Sequence, residues 1–109
     1  MKTIPTDEIA RITQQQRALQ QLALDVFGVY DRKEILLWMS EELGELVQAI
    51  RKEAPRERIA SEYGDLLGLM LALSNVLDLD LPQVLQSLVD KELSRQLSEY
   101  GELKYWRTP

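Results

Sequence analysis

The sequence is helix-forming almost throughout and is interrupted at three places. Gly28 stops the first segment, the Ala-Pro pair at residues 54–55 breaks the chain after the second, and an Asp-Leu-Asp turn at residues 78–80 follows the third. No segment resembles a strand. The predicted helices cover about residues 7–27, 32–52, 56–77 and 81–100, which indicates an all-α, four-helix bundle-like fold.

The length of 109 residues fits a single domain over residues 1–109, with a core of modest size. With 45% apolar residues the chain should fold. A helical domain this small is expected to hide its leftover apolar surface by oligomerising through its helices.

Two short acidic clusters lie inside the second and third predicted helices. The first consists of Glu41, Glu42 and Glu45, and the second of Glu62 and Asp65. Because residues three apart share a helix face, Glu42 lies beside Glu45, and Glu62 likewise beside Asp65. Two such helices side by side would bring four carboxylates together, and buried carboxylates are costly unless a cation neutralises them. The clusters therefore predict a divalent metal site, and a metal site suggests phosphate chemistry.

The residue types that are missing narrow this chemistry. The absence of histidine removes histidine-based catalysis and the usual zinc ligand sets, and the absence of cysteine removes thiolate sites and fits a cytoplasmic protein. A metal here would be a hard cation held by oxygen, so Mg²⁺ is favoured, and Mn²⁺ is the expected substitute. The net charge of −5 argues against a sequence-independent nucleic-acid binder. No signal segment is visible, and the longest apolar run, residues 66–73, is far shorter than the roughly 20 residues of a membrane span.

The surroundings of the first cluster are mixed. Glu42 and Glu45 lie on a side of the second helix that also carries Ile35, Trp38 and Ala49. The main apolar stripe of that helix is predicted to consist of Leu36, Met39, Leu43, Leu46, Val47 and Ile50. Taken alone, the first cluster fits a solvated face with scattered salt bridges better than a site.

The second cluster lies on a helix that is apolar on nearly every side after Asp65. Glu62 falls within the width of the apolar stripe, and Asp65 lies at its border, which makes a counter-charge necessary and favours a metal. Gly44 and Gly64 stand beside the acids, although each glycine costs about 1 kcal/mol inside a helix. A ligand approaching closely and tight helix packing explain these glycines equally well.

Three further side chains are candidates for binding substrate. Trp38 lies on the side of the second helix that carries the acids and could stack on a base, and a core or dimer-interface tryptophan is at least as good an explanation. Lys91 and Arg95 lie one turn apart on the fourth helix and could hold phosphate oxygens. From periodicity alone, an ordinary surface pair with local acidic partners explains these two cations better.

The acidic pattern resembles the signature of the MazG-like all-α nucleoside triphosphate pyrophosphohydrolases. Glu41-Glu42-x-x-Glu45 is followed after sixteen residues by Glu62-x-x-Asp65, and the flanking letters Glu-Glu-Leu-Gly-Glu-Leu and Tyr-Gly-Asp-Leu-Leu agree. The similarity covers roughly residues 35–95, most of the chain. It implies a helical homodimer or dimer of dimers that uses magnesium to cleave a nucleoside triphosphate between the α and β phosphates. Our interpretation is that this reaction limits faulty nucleotides.

The resemblance also implies a role for each candidate residue. By position, the metal ligands would be Glu42, Glu45, Glu62 and Asp65. Glu41 would be an accessory acid that binds a second metal or orients the attacking water, so that Glu41 and Glu42 are the expected catalytic residues. Lys91 and Arg95 on the last helix would bind the β and γ phosphates, so the resemblance favours a functional role for both over an ordinary surface pair. Asp90, just before Lys91, differs from the residue found in some relatives.

Two other functions remain open from the sequence. Phosphoribosyl-ATP pyrophosphohydrolase has a related fold and acidic pattern, although the wording of the motifs favours the MazG-like family. A non-catalytic helical module for interaction or regulation is the alternative from another class. A magnesium-linked rise in melting temperature would argue against that module.

Overall fold

The computed structural model describes residues 6–104 and contains four α-helices in that range. They are α1 (Thr6–Phe27), α2 (Arg32–Arg51), α3 (Arg56–Val76) and α4 (Leu81–Tyr100). The described residues include no strand, so the all-α fold class is confirmed. Among these residues, no helix combines the length and the apolar character that crossing a membrane requires.

The helix ends follow the predicted breaks closely, but Asp80, whose spacing to Gln83 predicts a capping box, does not cap α4 with its side chain. The Asp31 carboxylate accepts hydrogen bonds from the backbone N–H groups of Lys33 and Glu34 at 3.1 and 3.2 Å, which caps α2. Gly101 ends α4 with a φ of 75°, a left-handed conformation that suits glycine. Asp80 precedes α4 without a side-chain capping hydrogen bond in the described structure.

The chain packs as two compact units. The central unit consists of Leu19–Leu79, which includes the end of α1 and all of α2 and α3. The terminal unit draws on Met1–Ala18 and Asp80–Pro109, as far as these segments are described. The organisation of residues 1–109 as one domain stays a prediction.

The core of the central unit lies where α2 packs against α3. Ile35, Leu46 and Ala49 are its buried residues on α2, Ala72 is buried on α3, and Ala23 is buried on α1. Removing a large aliphatic side chain such as Ile35 from water contributes roughly 1.5–3 kcal/mol. These residues fix the face that α2 turns to α3.

A polar network joins the ends of α1 and α3 inside the same unit. The Gln20 side-chain amide donates hydrogen bonds to the Ser74 hydroxyl at 3.0 Å and to the Leu79 carbonyl at 2.6 Å. The Asn75 side-chain amide donates in turn to the Gln20 carbonyl at 3.2 Å. Because buried polar groups are costly when unpaired, this network fixes the register of the two helices.

The predicted apolar stripe of α2 is largely wrong. Of its six residues only Leu46 is buried, whereas Leu36, Leu43, Val47 and Ile50 are each about half exposed (46–54%). The buried face is instead the one with Ile35 and the acids. Sequence periodicity predicts an apolar face but not the neighbouring helix against which that face packs. Here the face with fewer apolar residues, which carries Ile35 and Ala49, packs against α3.

In the terminal unit, Pro82 and Leu103 are buried. The Arg17 guanidinium lies 3.8 Å from the Asp80 carboxylate, and both side chains are largely exposed. Such a pair adds little stability, because water screens it. The Asp80 side chain is thus directed to an ion pair, which accounts for the missing cap on α4.

Candidate metal centre

Glu42 stands in the middle of the buried face of α2. It follows Ile35 and Trp38 and precedes Leu46 and Ala49 at the three- and four-residue spacing of one helix face. Its neighbours on that face are buried or half-buried, and so is Glu42 itself. A carboxylate therefore occupies a position that the packing pattern reserves for an apolar side chain.

Three carboxylates from α2 and α3 meet at this point. One oxygen each from Glu42, Glu62 and Asp65 lies within 4.8 Å of the other two. An octahedral Mg²⁺ with ligands at about 2.1 Å has opposite oxygens about 4.2 Å apart. Neighbouring oxygens in such a shell are about 3.0 Å apart, so the three carboxylates would have to draw closer together to share one cation.

Glu42 and Glu62 are half-buried, and each has one buried oxygen without a hydrogen-bond partner among the described residues. Among residues 6–104, Oε2 of Glu42 and Oε2 of Glu62 are buried and have no hydrogen-bond partner. An unpaired buried polar atom carries a desolvation penalty, and a charge carries a larger one. These oxygens and the all-oxygen donor set fit a hard divalent cation.

The pKa values of both acids are raised, which is the electrostatic mark of the same crowding. Burial raises the pKa of Glu42 above its usual value, and the charges of Glu45, Asp65 and Glu62 raise it further. Burial likewise raises the pKa of Glu62, followed by a hydrogen bond shared with Glu45 and the charges of Glu45 and Asp65. Like charges that shift one another in this way need a counter-ion to ionise together.

The remaining acids of the two clusters differ in their relation to this group. Glu45 is not one of the three converging ligands, but its influence on the pKa values of Glu42 and Glu62 puts its carboxylate beside them. Glu41 is also outside the three, and its side chain is exposed. The structure brings together three of the four predicted ligands with the fourth adjacent, and the role of Glu41 stays a prediction.

A cavity of about 480 Å³ in the central unit opens directly beside the acids. Glu42 and Asp65 form part of its wall, and Trp38 forms another part. The predicted substrate residue Trp38 therefore lies beside the candidate metal centre. Tyr30 contacts Trp38 edge-to-face, with ring centroids 5.4 Å apart at 85°.

Sequence reasoning missed two aromatic residues of this cavity, Phe27 and Tyr30. They flank Gly28, whose φ of 71° turns the chain between α1 and α2. The stop at Gly28 was visible in the sequence, but the direction in which the turn sends its neighbours was not. Two aromatics around a helix-ending glycine, followed within two turns by Trp38, are the only signal that could have found them.

The two predicted phosphate ligands lie on α4, in the terminal unit. Lys91 is exposed. The Arg95 guanidinium donates hydrogen bonds to Glu92 at 2.5 and 3.0 Å and to Glu99 at 2.9 Å. These bonds lower the pKa of Glu92 to about 2 and raise that of Arg95. Arg95 thus has local acidic partners, and phosphate binding by the pair stays a prediction.

The fold and the acids define an all-α protein with a candidate site for a hard divalent cation. Residues 31–98 match the family model of the MazG nucleotide pyrophosphohydrolase domain, which covers more than half of the 109-residue chain. The chain belongs to the MazG nucleotide pyrophosphohydrolase family, and the resemblance in the acidic motifs is confirmed. No curated protein and no solved structure matches the chain. Family membership indicates a hydrolase that acts on nucleotides.

Proposed function

We propose that this protein is a magnesium-dependent nucleoside triphosphate pyrophosphohydrolase. The substrate, a ribo- or deoxynucleoside triphosphate, is cleaved between the α and β phosphates to the monophosphate and pyrophosphate. The observation that carries the proposal is that Glu42 and Glu62, each with one buried oxygen that has no partner among the described residues, converge with Asp65 across two helices. The family match supports the same reaction class.

Glu42, Glu45, Glu62 and Asp65 would hold the metal, and Mn²⁺ would serve in place of Mg²⁺. A bound divalent cation neutralises phosphate charge and lowers the pKa of a coordinated water. The four carboxylates determine where the triphosphate chain can lie, since its oxygens must enter the same cation shell. Glu41, whose side chain is exposed, would orient the attacking water or hold a second cation.

Lys91 and Arg95 would bind the β and γ phosphates, where negative charge accumulates as the bond breaks. A guanidinium suits phosphate oxygens because its N–H groups donate in parallel. For Arg95 this role requires that a phosphate replace Glu92 or Glu99 as its partner. All three side chains are substantially exposed, so such an exchange costs little.

The active form proposed here is a homodimer or a dimer of dimers assembled through the helices, in the cytoplasm where nucleotides are made and used. The half-exposed face of α2, formed by Leu36, Leu43, Val47 and Ile50, supports this assembly. An apolar face of this extent is typical of a surface that another chain covers. The biological role would be the removal of faulty nucleotides.

The test is pyrophosphate release from standard and modified ribo- and deoxynucleoside triphosphates, with magnesium and with chelator. We expect magnesium-dependent pyrophosphate with the monophosphate as co-product. Glu62→Gln should abolish turnover with little change in helical content. Glu57→Gln, the same substitution at an exposed site of the same helix, should leave turnover intact. Release of orthophosphate would refute the proposed bond. Silence with these nucleotides and activity on phosphoribosyl-ATP would assign the related histidine-pathway reaction. Silence with both would indicate a binding module.

A further inference from the structure

The outer face of α3, in the central unit, is apolar and largely exposed. Ala60, Tyr63, Leu67 and Met70 lie along it at spacings of three and four residues, and all four are exposed. The three large side chains leave 47–61% of their surface open to solvent. Residues 66–77 contain no charged side chain. This is the pattern with which a helix presents a narrow apolar seam to a second helix.

A cavity at the start of this face has the arrangement that receives a side chain from another helix. Four of its lining residues, Arg56, Ile59, Ala60 and Tyr63, are spaced i, i+3, i+4 and i+7 along α3. Four residues at this spacing form the hole that accepts one side chain of a facing helix when helices pack knobs into holes. The cavity volume of about 530 Å³ exceeds one side chain, so it also leaves room for the backbone that carries that side chain.

The side chains that fit this hole lie on the same face of α3. If α3 runs antiparallel to a second copy of itself, with a twofold axis at the level of Asp65, then Ala60 lies opposite the partner's Met70. Tyr63 lies opposite the partner's Leu67. Each contact occurs twice, because a twofold axis makes an interface self-complementary. A small side chain thus faces a large one near each end, which allows the close packing of a protein interior.

The charges at the two ends of α3 favour the antiparallel orientation. Arg56 is exposed at the start of the helix, and Asp78 is exposed just after its end. Neither side chain forms an ion pair with another residue in the range 6–104. In the antiparallel arrangement each Arg56 lies within about one helical turn of the partner's Asp78, so opposite charges meet at both ends. A parallel pair would place Arg56 beside the partner's Arg56 and Ala60 beside the partner's Ala60, which brings like charges together and leaves the cavity unfilled.

We propose that two copies of the chain associate through α3, antiparallel about this twofold axis, with the partner's Met70 between Arg56 and Tyr63. This contact is separate from the half-exposed face of α2, and the two contacts together produce a dimer of dimers. The α3 face has fewer large apolar residues in the seam, so dilution should separate this contact first and leave the α2 dimer. The proposal deepens the assembly proposed above and does not rest on the proposed reaction.

The test is disulfide formation between cysteine variants, since the chain has no cysteine of its own. Ala60→Cys and Met70→Cys proteins are purified separately, mixed and mildly oxidised, without magnesium or nucleotide. A disulfide requires Cα atoms within about 7 Å, which opposed positions of a packed helix pair can satisfy. Two copies of residue 60, or of residue 70, are about 15 Å apart along the axis of the antiparallel pair. We therefore expect a covalent dimer from the mixture and little from either variant alone.

Ser98→Cys, at an exposed position of α4, replaces Met70→Cys in the control mixture and measures disulfides formed by random collision. Circular dichroism checks that each variant keeps the helical content of the wild type, as expected for substitutions at exposed positions. Disulfide dimers of each variant alone, without the mixed product, would indicate a parallel pair. A mixed product no more abundant than in the control would show that α3 makes no such contact. Either result would overturn the proposal.

A charge reversal tests the orientation independently. Arg56→Asp, added to both cysteine proteins, places like charges opposite each other at both ends, and we expect mixed disulfide to form about 5- to 30-fold less efficiently at low ionic strength. Arg58→Asp is the matched control, because Arg58 is also exposed but points away from the outer face of α3 by its helical position. If the two reversals have the same effect, or if neither has one, Arg56 does not face the partner's Asp78 and the proposal is overturned.

Discussion

Replacing Glu62 by glutamine should stabilise the metal-free protein at neutral pH and remove about half or more of its response to magnesium. Glu62 has a buried oxygen without a partner, and its pKa is raised by burial, by the hydrogen bond shared with Glu45 and by the nearby charges. Each of these causes opposes ionisation, so at pH 7 the ionised carboxylate destabilises the fold. Glutamine has nearly the same shape and carries no charge.

The size of the magnesium effect follows from linkage between binding and folding. At a magnesium concentration 100 times Kd, a site present only in the folded state adds about 2.7 kcal/mol. For 109 residues the unfolding entropy is about 0.23 kcal/mol/K, so this corresponds to a rise in Tm of about 12 °C. If loss of one ligand weakens binding by about 10- to 100-fold, the gain falls to about 0.4–1.4 kcal/mol, a rise of about 2–6 °C.

The assay is thermal unfolding followed by circular dichroism at pH 7, in magnesium and in chelator. Glu57→Gln is the matched control, since Glu57 is exposed in the first turn of α3 and should leave both melting temperatures close to those of the wild type. A Glu62→Gln protein that melts below the wild type in chelator would refute the electrostatic reasoning. A full magnesium response in that variant would remove Glu62 from the ligand set.

Three further predictions address pH, backbone strain and assembly. Because the folded-state pKa values of Glu42 and Glu62 are raised, their contribution to stability is full below about pH 4.5 and is lost as the pH rises through the folded-state values. In urea unfolding with chelator, the stability advantage of Glu62→Gln over the wild type should therefore grow between about pH 4.5 and 7. A constant difference in stability would contradict this. Glu53 has a φ of 52°, and Glu53→Gly should raise the free energy of unfolding by about 0.5–1 kcal/mol by relieving left-handed strain, whereas loss of stability would show that the side chain matters more. Val47→Glu on the half-exposed face of α2 should convert a dimer to a monomer in light scattering, and an unchanged mass would exclude that face as the interface.

The helices were predictable because the residues next to each helix end determine where that helix begins or ends. Asp31 caps α2 through its carboxylate, Pro55 precedes the first turn of α3, and Gly101 ends α4, each at the position expected from its sequence. The bounds of all four helices agree with the prediction to within one residue. Such signals act over a few residues, so a single sequence contains them completely.

The packing of α2 was not predictable in the same way. The broader apolar stripe contains Leu36 and Val47, which are half-exposed, whereas Ile35 and Ala49 on the other side are buried. Which face of α2 becomes buried depends on how well its side chains pack against those of α3. This complementarity is a property of both helices and cannot be inferred from α2 alone. The approach of Glu62 and Asp65 to Glu42 was nevertheless predictable, because the spacing within each helix places the acids on a shared face, and their role as metal ligands stays a prediction.

Placing the Glu42 carboxylate on the buried face of α2 lowers the stability of the fold. The variant Glu42→Leu measures the size of this loss. Leucine has a similar volume, fits the apolar spacing from Ile35 to Leu46, and replaces a half-buried carboxylate whose Oε2 has no hydrogen-bond partner in the described structure. In chelator at pH 7 we expect this variant to unfold at higher urea concentration than the wild type, and with magnesium to release no pyrophosphate. The two effects together would show that Glu42 lowers the stability of the fold and is required for activity. A variant less stable than the wild type in chelator would mean instead that Glu42 supports the fold through contacts of its own.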